Sequence, residues 1–189
     1  MTDVLQTLLT RRSSKPALMQ EPGPSNDELE QILTAAMRVP DHKKLTPWRF
    51  ITLTGDAREA FGHAACGVLE TESSEPISDV RRQTERERLM RAPCVVVAIA
   101  APHRTEVVPE REQILSAGAA CFNLCLAANA LGYGTAWLTE WLSYSDGIAK
   151  VLQLADHEVV AGFIYIGTVT EAQPDRDRPR VSERWSAWQ

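Results

Sequence analysis

The chain lacks the short motifs that mark most well-known catalytic sites. Its 189 residues contain no G-x-S-x-G nucleophile elbow, no P-loop, no H-E-x-x-H zinc motif and no G-x-G-x-x-G fingerprint. Gly132 and Gly134 have part of the dinucleotide-binding spacing, but they precede a predicted strand, whereas Rossmann glycines follow one. Because no acid/base pair or activated nucleophile is visible, we expect a bound cofactor to carry any chemistry.

Metal-binding and disulfide patterns are also missing from the sequence. The relevant side chains are Cys66, Cys94, Cys121, Cys125, His42, His63, His103 and His157. They show neither C-x-x-C nor metal-ligand spacing, so no metal site is expected. Cys121 and Cys125 lie four residues apart in an apolar segment, and successive helical turns suit disulfide geometry poorly. This favours reduced, buried thiols in a cytoplasmic protein.

Length and charge narrow the class of protein further. With 44% hydrophobic and 24% charged residues, the chain suits one globular domain spanning residues 1–189. A net charge of −5 and a pI near 5.4 argue against nucleic acid as the main partner. Polar residues interrupt the first ten positions, so no secretion signal is expected.

Apolar periodicity and capping signals predict six helices and four strands. Helices are expected at 2–11, from a capping box at Ser25 to just before Pro40, and at 56–69, 80–91, 114–131 and 145–154; strands are expected at 49–54, 94–100, 133–139 and 159–167. The unbroken apolar run at 94–100 is typical of a strand covered on both faces. Interspersed charges at 80–91 favour a solvated helix, after a polar loop at 71–79.

The segment 114–131 is apolar on nearly every side and rich in small residues. Its length would suit a membrane span, but interior polar residues such as Asn123 and Asn129 favour a helix enclosed by protein. A domain of this size covers such a helix poorly by itself. We therefore expect a homodimer whose second subunit covers part of it, and no membrane partner.

Cationic side chains cluster where the first predicted helix ends. Arg11, Arg12 and Ser13 could donate charge-assisted hydrogen bonds to a phosphate, or the arginines could merely offset the helix dipole. Arg38 and His42 flank Pro40, which stops the second helix, so their side chains are expected to point outward.

Several short segments together resemble the flavin-dependent nitroreductase family, in its compact, single-domain branch. The segments are Arg11-Arg12-Ser13, Met37-Arg38-Val39-Pro40-Asp41-His42-Lys43, Pro47-Trp48-Arg49-Phe50, Gly132-Tyr133-Gly134-Thr135-Ala136-Trp137 and Gly162-Phe163-Ile164-Tyr165-Ile166-Gly167. They occur in order over nearly the whole chain. The resemblance implies an α+β, nitroreductase-like fold, with a central mixed or antiparallel sheet flanked by helices, in an intertwined homodimer.

The resemblance also implies a function and a site. It implies two FMN molecules at the dimer interface, reduced by NAD(P)H and reoxidised by a nitro compound, quinone or similar small-molecule acceptor in a ping-pong cycle. The residues that it places at the cofactor are Arg11, Arg12 and Ser13 at the phosphate and ribityl chain, Arg38 and His42 from the other subunit, Trp137, Leu138 and Thr139 beside the isoalloxazine, and Arg180 closing over the phosphate. Lys15 stands where some members of the family place a flavin-contacting lysine, and Arg178 is a further C-terminal basic residue that resembles those closing over the phosphate. No catalytic side chain is expected, since the flavin carries the reaction.

Other features leave alternatives open. Thr46 and Leu138 stand where many relatives have Gln and Arg, so acceptor preference could differ. Trp141, Trp185 and Trp188 could shape an acceptor site or pack at the dimer interface, and the tail 173–189 could be frayed or lie on a partner. Rival functions are a flavin-binding protein without turnover and a relative that consumes its own flavin.

Overall fold

The computed structural model describes residues 4–105, 107–171 and 173–188. Its helices are α1 (Val4–Thr10), α2 (Asn26–Ala36), α3 (Asp56–Glu72), α4 (Asp79–Glu87), α5 (Glu110–Ala130) and α6 (Asp146–Val151); its strands are β1 (Trp48–Thr54), β2 (Cys94–Ala100), β3 (Gly134–Leu138) and β4 (Val159–Gly167). All ten predicted elements are present. The predicted capping box is confirmed, because Ser25 and Glu28 exchange side-chain and backbone hydrogen bonds at the start of α2.

The four strands form one sheet in the order β1-β2-β4-β3. Each of the three neighbouring strand pairs is antiparallel, so the α+β prediction with a sheet flanked by helices is confirmed. At the outer edge of β3, Ser13 forms a parallel bridge with Thr135. The segment after α1 therefore continues the sheet beyond β3.

Strand β2 divides two hydrophobic cores. Val95, Val97 and Ile99 pack on the side that carries α3 and α6, whereas Cys94, Val96 and Ala98 pack on the side that carries α2 and α5. Every residue of β2 is buried, as its unbroken apolar run predicts. The four cysteines are buried as well.

Helix α5 lies against α2 and the sheet along only part of its circumference. Ala120, Leu124 and Ala128 are fully buried, while Leu115 and Phe122 remain 65% and 38% exposed. By length and composition alone, α5 could cross a bilayer, and 44% of its most apolar window is buried inside the protein. Its uncovered face continues onto α1, where Leu5 and Leu9 are exposed.

Several predicted boundaries differ from the structure. Helix α5 begins at Glu110 and not at 114, α3 continues to Glu72 into the predicted loop, and the predicted helix 80–91 is α4 followed by a 3-10 turn at Arg88–Arg91. The remaining boundaries differ by one to three residues, at both ends for β3 and α6. Residues 2, 3 and 189 of the predicted first helix and tail lie outside the described residues.

The prediction of a solvated helix at 80–91 is wrong for its inner face. Glu85 is fully buried on this face. Its carboxylate accepts hydrogen bonds from Arg88 and Trp141 and also pairs with Arg81. Trp141 packs against the core beneath α3 and α6 and is partly buried. Its alternative roles at an acceptor site or at the dimer interface stay predictions.

Candidate functional site

The candidate site begins where the segment after α1 runs along β3. The Ser14 backbone N–H donates to the Thr135 carbonyl at 2.8 Å, and Ser14 is buried. A Cβ on Gly134 would lie 2.8 Å from the Ser14 hydroxyl oxygen and 2.3 Å from Val169. Glycine at 134 therefore allows the segment to approach the strand this closely.

Arg11 and Arg12 occupy the turn between α1 and this edge. The Arg11 guanidinium donates to the Ser13 hydroxyl at 3.2 Å and lies 5.8 Å from the Phe122 ring centroid on α5. Arg12 donates to the carbonyls of Thr10 and Arg11. The Nε–H groups of both arginines are buried and have no hydrogen-bond partner among the described residues. Two adjacent charged donors are thus left unsatisfied, which is the local chemistry of an anion site.

The C-terminal tail reaches this turn through one ion pair. Arg12 Nη2 lies 2.9 Å from a carboxylate oxygen of Asp175. Arg178 and Arg180 are exposed farther along the tail, and Lys15 is exposed after the arginines. Trp185 and Trp188 are 70% and 100% exposed. The described tail therefore covers little of its own chain.

Trp137, Leu138 and Thr139 form the exit of β3. Leu138 packs into the core on the α3 and α6 side, so Trp137 points to the α5 side and is 40% exposed. Its indole N–H donates to the Ala161 carbonyl at 3.0 Å. A Cβ on Gly162 would lie 2.2 Å from that indole nitrogen, so glycine is required for the tryptophan to lie against β4. The structure thus gives Trp137 a packed edge and an accessible face.

Arg38 and His42 lie on the loop after α2. His42 Nδ1 is 2.9 Å from a Glu112 carboxylate oxygen, and the Arg38 carbonyl accepts from the Asn123 side chain. Glu112 and Phe122 are separated by ten helical residues, which places His42 about 15 Å along α5 from the ring beneath Arg11. One copy of the chain therefore brings Arg11, Arg12 and Ser13 together beside β3, with His42 well apart from them.

None of the candidate cofactor residues lines the larger clefts of the single chain. Two clefts of about 600 and 680 Å³ are lined by α3 and α4 residues such as His63 and Arg86, and by the 102–105 loop. An apolar groove of about 270 Å³ lies instead between α1 and α5, lined by residues such as Leu8 and Leu126. Asn123 lines this groove and donates to the Arg38 carbonyl, and Arg11 lies over the neighbouring Phe122.

Two polar residues of this region were missed by sequence reasoning. The Asn129 side-chain N–H₂ donates to the Tyr133 carbonyl and the Thr135 hydroxyl, while its oxygen is buried without a partner among the described residues. Asn129 interrupts the apolar segment of α5, and that interruption was the available signal. Buried Ser14 gave no such signal, because it follows an already polar run.

The buried thiols do not add a nucleophile to the site. Burial raises the pKa of the Cys94 and Cys121 thiols to about 12, and burial also raises the pKa of Cys125. These thiols therefore stay protonated at neutral pH. Among the described residues, no group of acidic, histidine or cysteine side chains could hold a metal ion.

A family model and known relatives match this chain over most of its length. The model described as "Nitroreductase family" matches residues 8–168. The Escherichia coli K12 protein named "Putative NAD(P)H nitroreductase YdjA" is 34% identical over 167 residues, which cover 88% of each chain.

Solved structures share the fold. A nitroreductase-like family protein from Bacillus cereus superposes with a TM-score of 0.84 at 19% identity, covering 100% of this chain and 97% of that one. A Desulfovibrio desulfuricans nitroreductase homologue, solved in complex with FMN, gives a TM-score of 0.74 at 22% identity, covering 100% and 98%. Because the family model matches most of the chain and a relative is 34% identical over 88% of each chain, the chain belongs to the nitroreductase family.

Proposed function

We propose that the protein is an FMN-dependent NAD(P)H oxidoreductase that reduces nitro compounds, quinones or similar acceptors. The observation that carries the proposal is the pair of buried, unpartnered Nε–H donors on Arg11 and Arg12. The name of the Escherichia coli relative supports NAD(P)H as donor, and the FMN complex of a structural relative supports the cofactor.

The described residues fit the phosphate of FMN. Hydrogen-bond donors from Arg11, Arg12 and the Ser13 hydroxyl lie on one turn. Because the chain as a whole is negatively charged, these two adjacent arginines form a local positive patch that favours an anion. A hydrogen bond to a charged group contributes about 1.5–3 kcal/mol, so two arginines suffice to dominate retention of the cofactor. FMN would supply the redox chemistry, by accepting a hydride from NAD(P)H and passing electrons to the acceptor.

The protein's own contribution is binding and orientation. We assign the exit of β3, at Trp137, Leu138 and Thr139, to the isoalloxazine ring, because Trp137 is exposed on the side of the sheet that carries α5, the helix over which Arg11 lies. The exposed face of Trp137 limits access to that ring, while the Leu138 side chain holds the strand in the core. Fixed orientation of donor, ring and acceptor accounts for catalysis without an acid/base pair.

A second copy of the chain completes the site in this proposal. His42 lies too far along α5 from Arg11 to share one pocket within a chain. In this proposal Arg38 and His42 would come from the partner subunit. The uncovered apolar faces of α1 and α5 supply the surface on which two copies meet. Arg180, Arg178 and the exposed tryptophans of the tail would then lie against the partner. The proposal takes residues 1–189 as one FMN-binding domain of a cytoplasmic enzyme.

Absorbance spectroscopy tests this function directly. Purified protein, loaded with FMN, is expected to show an oxidised flavin spectrum that bleaches on anaerobic addition of NADH or NADPH and returns on addition of a nitroaromatic or quinone. Sedimentation should give a dimer. Bound FMN that no nicotinamide reduces would favour a binding protein without turnover, and loss of flavin on aerobic reduction would favour a flavin-consuming enzyme. Protein that neither binds FMN nor gains thermal stability from it would refute all three.

A further inference from the structure

Glu140 has a backbone conformation that normally requires glycine. It follows Thr139 at the exit of β3 and adopts φ 50° and ψ −171°. For a residue with a side chain, such a conformation is strained and persists only where surrounding contacts impose it. Strained residues of this kind cluster at functional sites.

The Glu140 carboxylate is held by two arginines from the 3-10 turn Arg88–Arg91. Arg88 Nη1 lies 2.7 Å from Glu140 Oε2, and Arg91 Nη2 lies 3.1 Å from the same oxygen and 3.3 Å from Oε1. The carboxylate therefore ties the corner after β3 to a different part of the chain.

Both arginines are themselves anchored. Arg88 donates two hydrogen bonds of 2.6 Å to the fully buried Glu85. Arg91 donates to the Tyr165 hydroxyl at 2.8 Å and lies 4.9 Å from its ring centroid. Tyr165 belongs to β4, the strand that pairs with β3, so its position is fixed by the sheet.

The next residue of the corner is tied to the same network. The Trp141 indole N–H donates to Glu85 at 2.9 Å. Glu140 and Trp141 are thus held by Arg88 and Glu85, which are themselves bonded to each other. Two consecutive residues with such linked anchors fix both the position and the direction of the chain where it leaves β3.

We propose that Glu140 is a positioning residue: its carboxylate, clamped by Arg88 and Arg91, sets the backbone of 137–139 for the flavin. This inference rests on the proposed function, which places that backbone beside the isoalloxazine ring. Glycine would adopt the Glu140 backbone at lower cost but would leave the corner untethered. The position of this backbone affects the reaction rate, because a misplacement of about 1 Å can lower a rate roughly a hundredfold.

The test compares Glu140→Gly and Glu140→Gln with a control in the same network. Arg81→Met is the control, because Arg81 pairs with Glu85 but not with Glu140. Amide hydrogen exchange of the peptide 134–142 is measured in FMN-free protein. In FMN-loaded protein, the FMN dissociation constant, kcat and the midpoint potential of the flavin are measured.

The expected pattern separates positioning from general support of the fold. Glu140→Gly should speed exchange in 134–142 alone, lower kcat by about a hundredfold and shift the flavin potential, with FMN affinity changed less than about threefold. Glu140→Gln keeps side-chain length and hydrogen-bonding capacity, so it should give intermediate values. Arg81→Met should match the wild type.

The proposal would be overturned if Glu140→Gly kept the wild-type amide exchange, kcat and flavin potential. It would also be overturned if the Arg81→Met control changed these three quantities as much as Glu140→Gly does. If Glu140→Gly retained no FMN, Glu140→Gln decides: intermediate exchange with intermediate kcat supports the proposal, and wild-type values refute it. Wild-type protein that fails to bind FMN would instead refute the proposed function, while exchange in the FMN-free variants still reports whether the tether exists.

Discussion

Two arginine clusters in this protein differ in how their charges are satisfied. Arg88 and Arg91, between α4 and β2, each contact a carboxylate, and Arg88 contacts two. Arg11 and Arg12, beside β3, bury their Nε–H groups without a partner among the described residues, although Arg12 Nη2 pairs with the exposed Asp175. A folded chain normally satisfies buried polar groups, so a pair that is left open marks a place for a ligand. The inner cluster is paired within the chain, and the proposed function assigns the N-terminal cluster to an anion.

The largest effect should follow from breaking the inner cluster. Glu85→Ala leaves Arg88 and the Trp141 N–H without their buried acceptor, and the free energy of unfolding should fall by about 3–5 kcal/mol. Burial alone would raise the pKa of Glu85, but the hydrogen bonds from Arg88 and Trp141 and the charges of Arg88 and Arg81 lower it, so the lost group is a carboxylate. Urea unfolding monitored by circular dichroism measures the change.

The control is Glu87→Ala, because Glu87 is exposed two residues away on the same helix. It should change stability by less than about 0.5 kcal/mol. A loss below 1 kcal/mol for Glu85→Ala would mean that the inner cluster contributes little to stability.

Breaking the N-terminal cluster should affect binding and leave the fold stable. Arg11→Ala removes one charged donor worth about 1.5–3 kcal/mol, so the FMN dissociation constant should rise roughly ten- to hundredfold. Titration of FMN fluorescence quenching measures the constant, and thermal unfolding of FMN-free protein should be unchanged or slightly raised. Arg86→Ala on the exposed side of α4 is the matched control. Unchanged FMN affinity in Arg11→Ala would contradict the phosphate assignment.

Arg49 on β1 forms a further ion pair, and the contribution of this pair to stability depends on pH. Arg49 donates hydrogen bonds of 2.6 and 2.8 Å to Glu158, and this pairing lowers the Glu158 pKa from 4.5 to about 2. A lowered folded pKa stabilises the protein above the unfolded pKa, and that contribution is lost as pH falls from about 5 towards 2.

Glu158→Gln should remove this acid dependence. Because Arg49 is 38% exposed, solvent screening reduces the contribution to about 1–2 kcal/mol at neutral pH. Unfolding curves at pH 7 and at pH 3 should therefore converge for wild type and variant as the pH is lowered. Parallel pH profiles would show that the pair adds no pH-dependent stability.

The smallest effect is expected at the single contact between the tail and the open cluster. Asp175 pairs with Arg12 from a side chain that is 56% exposed, so Asp175→Asn should change stability by less than about 1 kcal/mol. Since the carboxylate competes with an anion for Arg12, FMN affinity should rise modestly. Urea unfolding measures the stability, and isothermal titration at low and high salt measures the FMN affinity. A loss of affinity would mean that Asp175 helps to orient Arg12.

Local sequence patterns predicted most of the fold and part of the candidate site. The capping box at Ser25 and the apolar run of β2 depend on neighbours in the chain, and both are confirmed by the structure. Charge patterning predicted the wrong environment for Glu85, because the partner Trp141 lies 56 residues away and no local signal announces it. The residue types predicted Arg11 and Arg12 as candidate phosphate contacts. The backbone hydrogen bond between Ser14 and Thr135 joins residues far apart in the sequence, so no local pattern could predict it. The backbone of Glu140 is likewise set by distant arginines, so its importance was missed.

The placement of residues 13–20 has a practical consequence for anyone engineering the protein. Ser13 and Ser14 cover the outer edge of β3, and Gln20 exchanges two backbone hydrogen bonds with Thr168 just after β4. An open strand edge readily pairs with strands of other molecules. Shortening the N-terminus past Ser14 would therefore remove Arg11 and Arg12 and leave the outer edge of β3 uncovered, so affinity tags and fusion partners belong before Val4 and deletions belong elsewhere.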